Sequence, residues 1–157
     1  MKIKTEKVLA AWRVLNTAKY TKMDDADKIK VWKVSRVLLP IAEKFDADSK
    51  DAAEKMKPSE DFNERLMNAQ EYERVSKDAS ADASKLKMGA AEYGEFLREL
   101  QNYNKLVSDA VKGFAEKEVE VEFEPISEDA FGKLMASNDW TLEQAAEVSN
   151  LIVEQKT

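Results

Sequence analysis

Four glutamates at alternate positions are the side chains of this sequence best placed to do chemistry. They are Glu118, Glu120, Glu122 and Glu124, separated by apolar residues. On a β-strand, alternate side chains share one face, and neighbouring carboxylates would lie roughly 7 Å apart. Carboxylates at that spacing could serve glycoside hydrolysis or hold a divalent cation. A row of charges also keeps an exposed strand from aggregating edge to edge, and we favour that structural role.

The rest of the sequence offers little to a catalytic site. Histidine and cysteine are both absent from the 157 residues, which removes the commonest general base and the usual zinc ligands. Residues 46–51 begin like a calcium loop, but Lys50 occupies a ligand position and Asp51 replaces the turn glycine. The four glycines are dispersed and form no phosphate-binding loop. We therefore predict a protein that is not an enzyme, with no catalytic, cofactor-binding or metal site.

Charge is unevenly distributed along the chain. Residues 1–44 carry 11 Lys and Arg against 5 Asp and Glu, whereas the remaining residues carry 14 against 26. A basic part and an acidic part favour oriented docking on a partner or head-to-tail self-association. An overall net charge of −6 makes direct nucleic-acid binding over a broad surface unfavourable.

Apolar residues at three-and-four spacing predict a mainly α-helical bundle with long antiparallel helices. The one minor β element is a strand at about 118–124, which must pair with residues 1–4, with a copy of itself in a second subunit, or with another protein. We expect a single domain over 1–157. Within it, residues 58–92 are interpreted as a helical insertion that contains a low-complexity linker at 78–84.

The most regular helical pattern runs over residues 90–116. Its apolar residues follow a 3-4-3-4 spacing, which predicts a seam facing a second helix, within the chain or in another copy. We expect the spine of the core to be formed by Phe96, Leu100, Tyr103 and Val107.

The second predicted helix is apolar on two sides. Val31, Val34 and Leu38 begin its main stripe, whereas Trp32 and Leu39 lie on another side, among the basic residues Lys33 and Arg36. Such a helix either lies between neighbours or offers one side to a partner. The candidate partner-binding residues are therefore Trp32, Leu39, Lys33 and Arg36, together with Glu118, Glu120, Glu122 and Glu124. Alternatively, another helix of the chain covers this side.

Several local signals set expectations for helix ends. Pro40 predicts a kink or a break in the second helix, because proline lacks the backbone N–H group. Asp24 or Asp25, Ser59 and Ser127 are candidate N-caps, and Thr141 with Gln144 matches a capping box. Leu142, an apolar residue of the last helix, is expected to be buried.

The order of these parts carries a family resemblance. A Lys-rich first helix, a second helix ending in Leu38-Leu39-Pro40, a helix running into the strand, and a tail with Leu151-Ile152 follow one another. This order is similar to that of small helical proteins of tailed bacteriophages and prophages, over roughly residues 1–56 and 95–155. The group has no established activity, so no functional residue transfers. The resemblance implies a phage or prophage origin and a non-catalytic role.

These patterns together predict a protein that acts by protein–protein contact, as a virion or assembly component. The alternative is a small acidic inhibitor of a host defence system or of a host nucleic-acid enzyme, with the glutamates mimicking DNA phosphates. The expected partner is a host or phage protein or a second copy of the chain, which would make a homo-oligomer. No apolar run is long enough to span a bilayer, so we expect no membrane partner. The expected location is the cytoplasm of the bacterial host or the virion.

Overall fold

The computed structural model describes residues 1–78 and 80–155, which are mainly helical. The helices are α1 (Thr5–Leu15), α2 (Asp25–Lys55), α3 (Phe62–Lys77), α4 (Ala90–Glu116), α5 (Glu128–Ala136) and α6 (Leu142–Ile152). The strands are β1 (Lys2–Lys4) and β2 (Glu118–Glu120), and a short 3-10 helix spans Ala83–Lys85. The predicted fold class, mainly α with a minor β element, is confirmed.

The chain divides into two compact units. The first unit comprises Met1–Asp48 and Lys112–Thr157, and the second comprises Ser49–Val111. Both α2 and α4 contribute residues to each unit. A single domain over 1–157 with a helical insertion at 58–92 stays a prediction.

The first unit has the larger hydrophobic core, built by one side of each of four helices. From α1 and α2 the core receives Val8, Ala11, Val14, Leu15, Val31, Val34 and Leu38. From α5 and α6 it receives Ala130, Phe131, Leu134, Ala145, Val148, Leu151 and Ile152. These positions recur every three or four residues, so each helix presents one apolar stripe to the core. Hydrophobic burial on this stripe therefore orients α2.

Pro40 lies inside α2 without ending it. The helix continues from Asp25 to Lys55, so a break into two abutting helices, one of the two predicted outcomes, is wrong. Pro40 is exposed, which places its ring on the solvent side, away from the buried stripe.

The β element joins two segments that are distant in sequence. β1 and β2 pair antiparallel, with Lys2 opposite Glu120 and Lys4 opposite Glu118. Of the three predicted partners for the strand, the structure therefore shows the N-terminal segment. The opposite charges face each other on exposed positions, which favours this register.

The strand is shorter than the predicted 118–124. β2 ends at Glu120, and the next backbone hydrogen bond, from Val121 N to Met1 O, is 2.9 Å long. Beyond it, residues 122–125 are not in a strand, because β1 pairs only with 118–120. The alternation in burial nevertheless continues: Val121 is buried and Phe123 is half-buried against the core, whereas Glu122 and Glu124 are exposed.

The loop between α1 and α2 is held by the C-terminal end of α5. Asn138 accepts a hydrogen bond from Lys19 N (2.8 Å) and donates one to Lys19 O (2.9 Å). Ser137 Oγ accepts a hydrogen bond from Lys22 N at 2.8 Å. The loop ends at Asp24, whose carboxylate accepts the Asp27 N–H at 3.0 Å, so the predicted aspartate cap of α2 is confirmed.

Because of this cap, the stability of the first unit should decrease as the pH is lowered into the acidic range. The pKa of Asp24 is lowered chiefly by the hydrogen bond from the Asp27 backbone, with a further contribution from the charge of Lys133. The pKa of this carboxyl group is therefore lower in the folded chain than in the unfolded chain, where it is about 3.9. The ionised carboxylate stabilises the fold at pH values above about 3.9, and this stabilisation is lost as the pH falls through the folded-state pKa. We expect Asp24→Asn to be less stable than the wild type at pH 7, and the gap to close towards pH 2.

Urea unfolding at pH 7, 4 and 2 would measure this gap. Asp25→Asn is the matched control, because Asp25 neighbours Asp24 and its carboxylate makes only a long ion pair, 3.9 Å from Lys28. Equal pH dependence of the Asp24→Asn variant and the wild type would contradict the prediction.

The second unit contains a smaller aromatic cluster on α3 and α4. Phe62, Ala69, Met88 and Phe96 are buried, with Leu100 and Tyr103 packed against them. The ring centroids of Phe62 and Phe96 are 5.6 Å apart, and those of Phe62 and Tyr103 are 4.8 Å apart. Arg65 donates two hydrogen bonds to Glu99, at 3.1 and 2.6 Å, and its guanidinium lies 5.2 Å from the Phe96 ring centre. The Arg65–Glu99 ion pair thus lies against the aromatic cluster.

Part of the predicted core spine is wrong. Phe96 is fully buried as expected, but Val107 is only half-buried and belongs to neither hydrophobic cluster. The main core is built by α1, α2, α5 and α6 instead. A seam read from spacing gives the side of a helix, but not how much of its length is covered.

The predicted helix ends are mostly correct. Ser127 Oγ accepts the Ala130 N–H at 3.1 Å, and both hydrogen bonds of the Thr141–Gln144 capping box are present. Ser59 is not an N-cap, because α3 begins later and Asp61 precedes it. Leu142 is exposed rather than buried, since it lies on the solvent side of α6.

The predicted linker at 78–84 contains two side-chain turns. Asp78 accepts a hydrogen bond from Ser80 N at 3.0 Å, and Asp82 accepts one from Ser84 N at 2.9 Å. Such turns are typical of Asp in connecting segments. Residue 79 of this linker lies outside the described residues.

Candidate protein-binding surface

The side of α2 that faces solvent carries a line of large side chains. Ile29, Trp32, Arg36 and Leu39 are spaced 3-4-3, which places them on one side of the helix, and we call these four residues the α2 strip. The exposed fractions are 53% for Ile29, 54% for Trp32 and 38% for Leu39. Three large apolar side chains are therefore open to water along about 15 Å of helix.

The core fixes this strip in place. Val31, Val34 and Leu38 are fully buried and alternate along α2 with the strip residues. Because all of these side chains belong to one helix, burying the first set determines the direction of the second. The strip is thus displayed on a rigid element, as a preformed binding surface requires.

A basic group lies over the exposed tryptophan, and a second stands next to it in the sequence, at Lys33. The Arg36 guanidinium lies 5.0 Å from the centre of the Trp32 ring, a cation–π distance. Among the described residues, no carboxylate lies within 4.0 Å of the charged groups of Arg36 or Lys33. The strip therefore combines apolar area with positive charge that the described part of the chain does not neutralise.

The neighbouring lysines of α2 are already paired. Lys28 Nζ lies 3.9 Å from an Asp25 oxygen, and Lys30 Nζ lies 3.3 Å from a Glu124 oxygen. Lys33 and Arg36 are thus the cations of this part of α2 that can still meet a carboxylate of another molecule.

The four predicted glutamates do not converge. Glu118 and Glu120 lie on β2, and Glu120 accepts a 2.6 Å hydrogen bond from the Met1 ammonium group. Glu122 is exposed, and Glu124 pairs with Lys30. Among the described residues, no group of three or more carboxylates is arranged to hold a metal ion. Glu124 contacts α2 through this ion pair with Lys30, a residue outside the α2 strip.

Sequence reasoning missed one member of the strip. Ile29 stands between two lysines, and the alternating pattern of residues 28–31 conceals its helical position. Its spacing of three from Trp32 and of ten from Leu39 was the available signal.

The structure also shows what becomes of the calcium-loop-like segment and of the apolar runs. Residues 46–51, which begin like a calcium loop, lie within α2 and form no loop. Among the described helices, none is both long enough and apolar enough to cross a bilayer.

Comparison of the chain with protein-family models, with curated proteins and with solved structures gives no match. The geometry of the α2 strip is therefore the observation from which a function can be inferred.

Proposed function

We propose that this protein is non-catalytic and acts by binding another protein through the α2 strip. The observation that carries the proposal is the exposure of Trp32, with Ile29 and Leu39 on the same side of α2. Leaving such apolar area in water is unfavourable, and tryptophan and arginine are the side chains most enriched at the centres of protein interfaces.

The positive charges on the strip and beside it, on Arg36 and Lys33, indicate the chemistry of the partner. Lys33 and Arg36 favour an acidic surface, and the apolar side chains favour an apolar ridge within it. An amphipathic helix with carboxylates beside its apolar stripe meets both requirements, since it could lie along the three exposed turns of α2. A second copy of the chain pairing through the same strip would instead bring like charges together, which opposes self-association there.

The resemblance of the sequence to phage and prophage helical proteins supports a proposal for the biological setting. We place the protein in the assembly of a phage particle, where it would hold an acidic helix of another phage protein. The position of its gene tests this role. A place among late structural genes would support it, and a place among early or anti-defence genes would favour an inhibitor of a host protein instead.

Replacing Trp32 by alanine should weaken partner binding strongly while leaving the fold intact. Central aromatic residues of interfaces typically contribute 2 kcal/mol or more, so we expect affinity to fall about 30-fold or further. The thermal midpoint should stay within about 1 °C of the wild type, because an exposed side chain contributes little to stability.

The experiment is affinity capture from phage-producing cells, followed by reconstitution with the purified partner and calorimetry. Met67→Ala is the matched control, since Met67 is an exposed apolar residue of α3, outside the strip. Binding that survives Trp32→Ala, or that Met67→Ala weakens equally, would count against the α2 strip. A midpoint lowered by several degrees would assign Trp32 to the core.

A further inference from the structure

A second feature, separate from the α2 strip, is a cavity of about 160 Å³ in the first unit. Its apolar walls come from Ile41 and Phe45 of α2, Phe114 of α4 and Val119 of β2. An apolar cavity of about 150 Å³ is large enough to hold one benzene ring. The volume and the lining therefore match a ligand with a single aromatic ring.

The two phenylalanines of this cavity are not part of the core. Phe45 and Phe114 are half-buried, and neither belongs to the buried cluster of the first unit nor to the side chains packed against it. Sequence spacing places both on apolar stripes, which predicts that they are covered. Their exposed ring area faces the cavity instead, so a ring bound there would bury it.

Charged residues also line the cavity: Lys44, Asp48 and Lys117. Lys44 Nζ is paired with Asp48 at 2.7 Å, whereas Lys117 has no carboxylate within 4.0 Å among the residues described. The backbone of Lys117 is fixed, because its carbonyl oxygen accepts hydrogen bonds from Thr5 N at 2.9 Å and from Thr5 Oγ1 at 2.8 Å. Two lysines against one aspartate leave one positive charge for a ligand to neutralise.

We propose that this cavity binds a small aromatic carboxylate, with its ring between Phe45 and Phe114 and its carboxylate at Lys117. Aromatic rings pair favourably in offset or edge-to-face arrangements, which two flanking phenylalanines allow. A carboxylate beside an ammonium group gains a charge-assisted hydrogen bond. None of the residues that line the cavity belongs to the α2 strip.

The test is an NMR titration with 3-phenylpropionate as the probe, observed on the backbone amides of Phe45, Phe114 and Val119. We expect saturable shifts at these amides with a Kd of about 1 mM or tighter, a range typical of a ligand this small. The uncharged analogue 3-phenyl-1-propanol should bind about fivefold more weakly. Absence of shifts at these amides up to about 10 mM would overturn the proposal.

Two variants distinguish the contribution of the ligand's aromatic ring from that of its carboxylate charge. Lys117→Gln should remove the preference for the acid over the alcohol, whereas Lys112→Gln, an exposed lysine of α4 outside the cavity lining, should keep it. Phe114→Trp should fill the cavity and abolish binding of both probes, and the NMR spectrum of the free variant would show that it is folded. An unchanged preference in Lys117→Gln, or undiminished binding in folded Phe114→Trp, would overturn the assignment.

Discussion

Replacing Phe96 by alanine should lower the free energy of unfolding of the second unit by about 3–5 kcal/mol. Phe96 is fully buried and its ring contacts both Phe62 and the Arg65 guanidinium. Removing the ring loses its hydrophobic transfer energy, leaves a cavity beside Phe62, and takes away the aromatic surface over which Arg65 lies. The unit has only a small cluster of buried residues to absorb this loss.

Hydrogen exchange of α3 and α4 amides would measure the effect within this unit, and urea unfolding would measure it for the whole chain. Leu97→Ala is the matched control, because Leu97 is the next residue of α4 and is 41% exposed. It should cost far less than Phe96→Ala. Similar losses in the two variants would mean that the aromatic cluster does not stabilise this part of the chain.

The second large effect is expected at Leu38, where alanine should cost about 2–5 kcal/mol. Leu38 is fully buried in the core of the first unit, one residue from exposed Leu39 of the α2 strip. The same substitution at these adjacent positions should therefore have opposite outcomes. Leu38→Ala should lower stability, whereas Leu39→Ala should leave stability nearly unchanged and weaken partner binding.

Urea unfolding of both variants, with partner binding measured at a temperature where both are folded, checks this pair. A large loss of stability in Leu39→Ala would show that the strip is covered within the chain. Unimpaired stability in Leu38→Ala would show that α2 does not dock through its predicted stripe.

Sequence patterns correctly predicted the helix ends that depend on neighbouring residues. The bounds of α4 and the caps at Ser127 and Thr141 depend on residues within one or two helical turns, and all three are confirmed. The solvent-facing position of Trp32 could likewise be suspected from its place off the main stripe of α2.

Long-range features could not be chosen from the sequence. The pairing of Lys2–Lys4 with Glu118–Glu120 was one of three open alternatives. The unpaired backbone N–H and C=O groups of a strand can pair with any other strand, so they do not specify a partner more than a hundred residues away. The hold of Asn138 on Lys19 and the cavity between Phe45 and Phe114 depend equally on tertiary placement. The exposure of this side of α2 was one of two alternatives that the sequence left open, whereas the cavity was not predicted.

The division of the first unit between two chain segments governs how it can fold during synthesis. Its segment Met1–Asp48 leaves the ribosome first, but Glu118–Glu120 and the residues of α5 and α6 that complete its core follow only after the whole of Ser49–Val111. At about 5–20 residues per second, this interval lasts several seconds. Throughout it, the apolar stripes of α1 and α2 lack the side chains of α5 and α6, so part of their apolar surface stays exposed to water. The second unit is one continuous segment, so its aromatic cluster can form before the C-terminal part of the first unit has been synthesised.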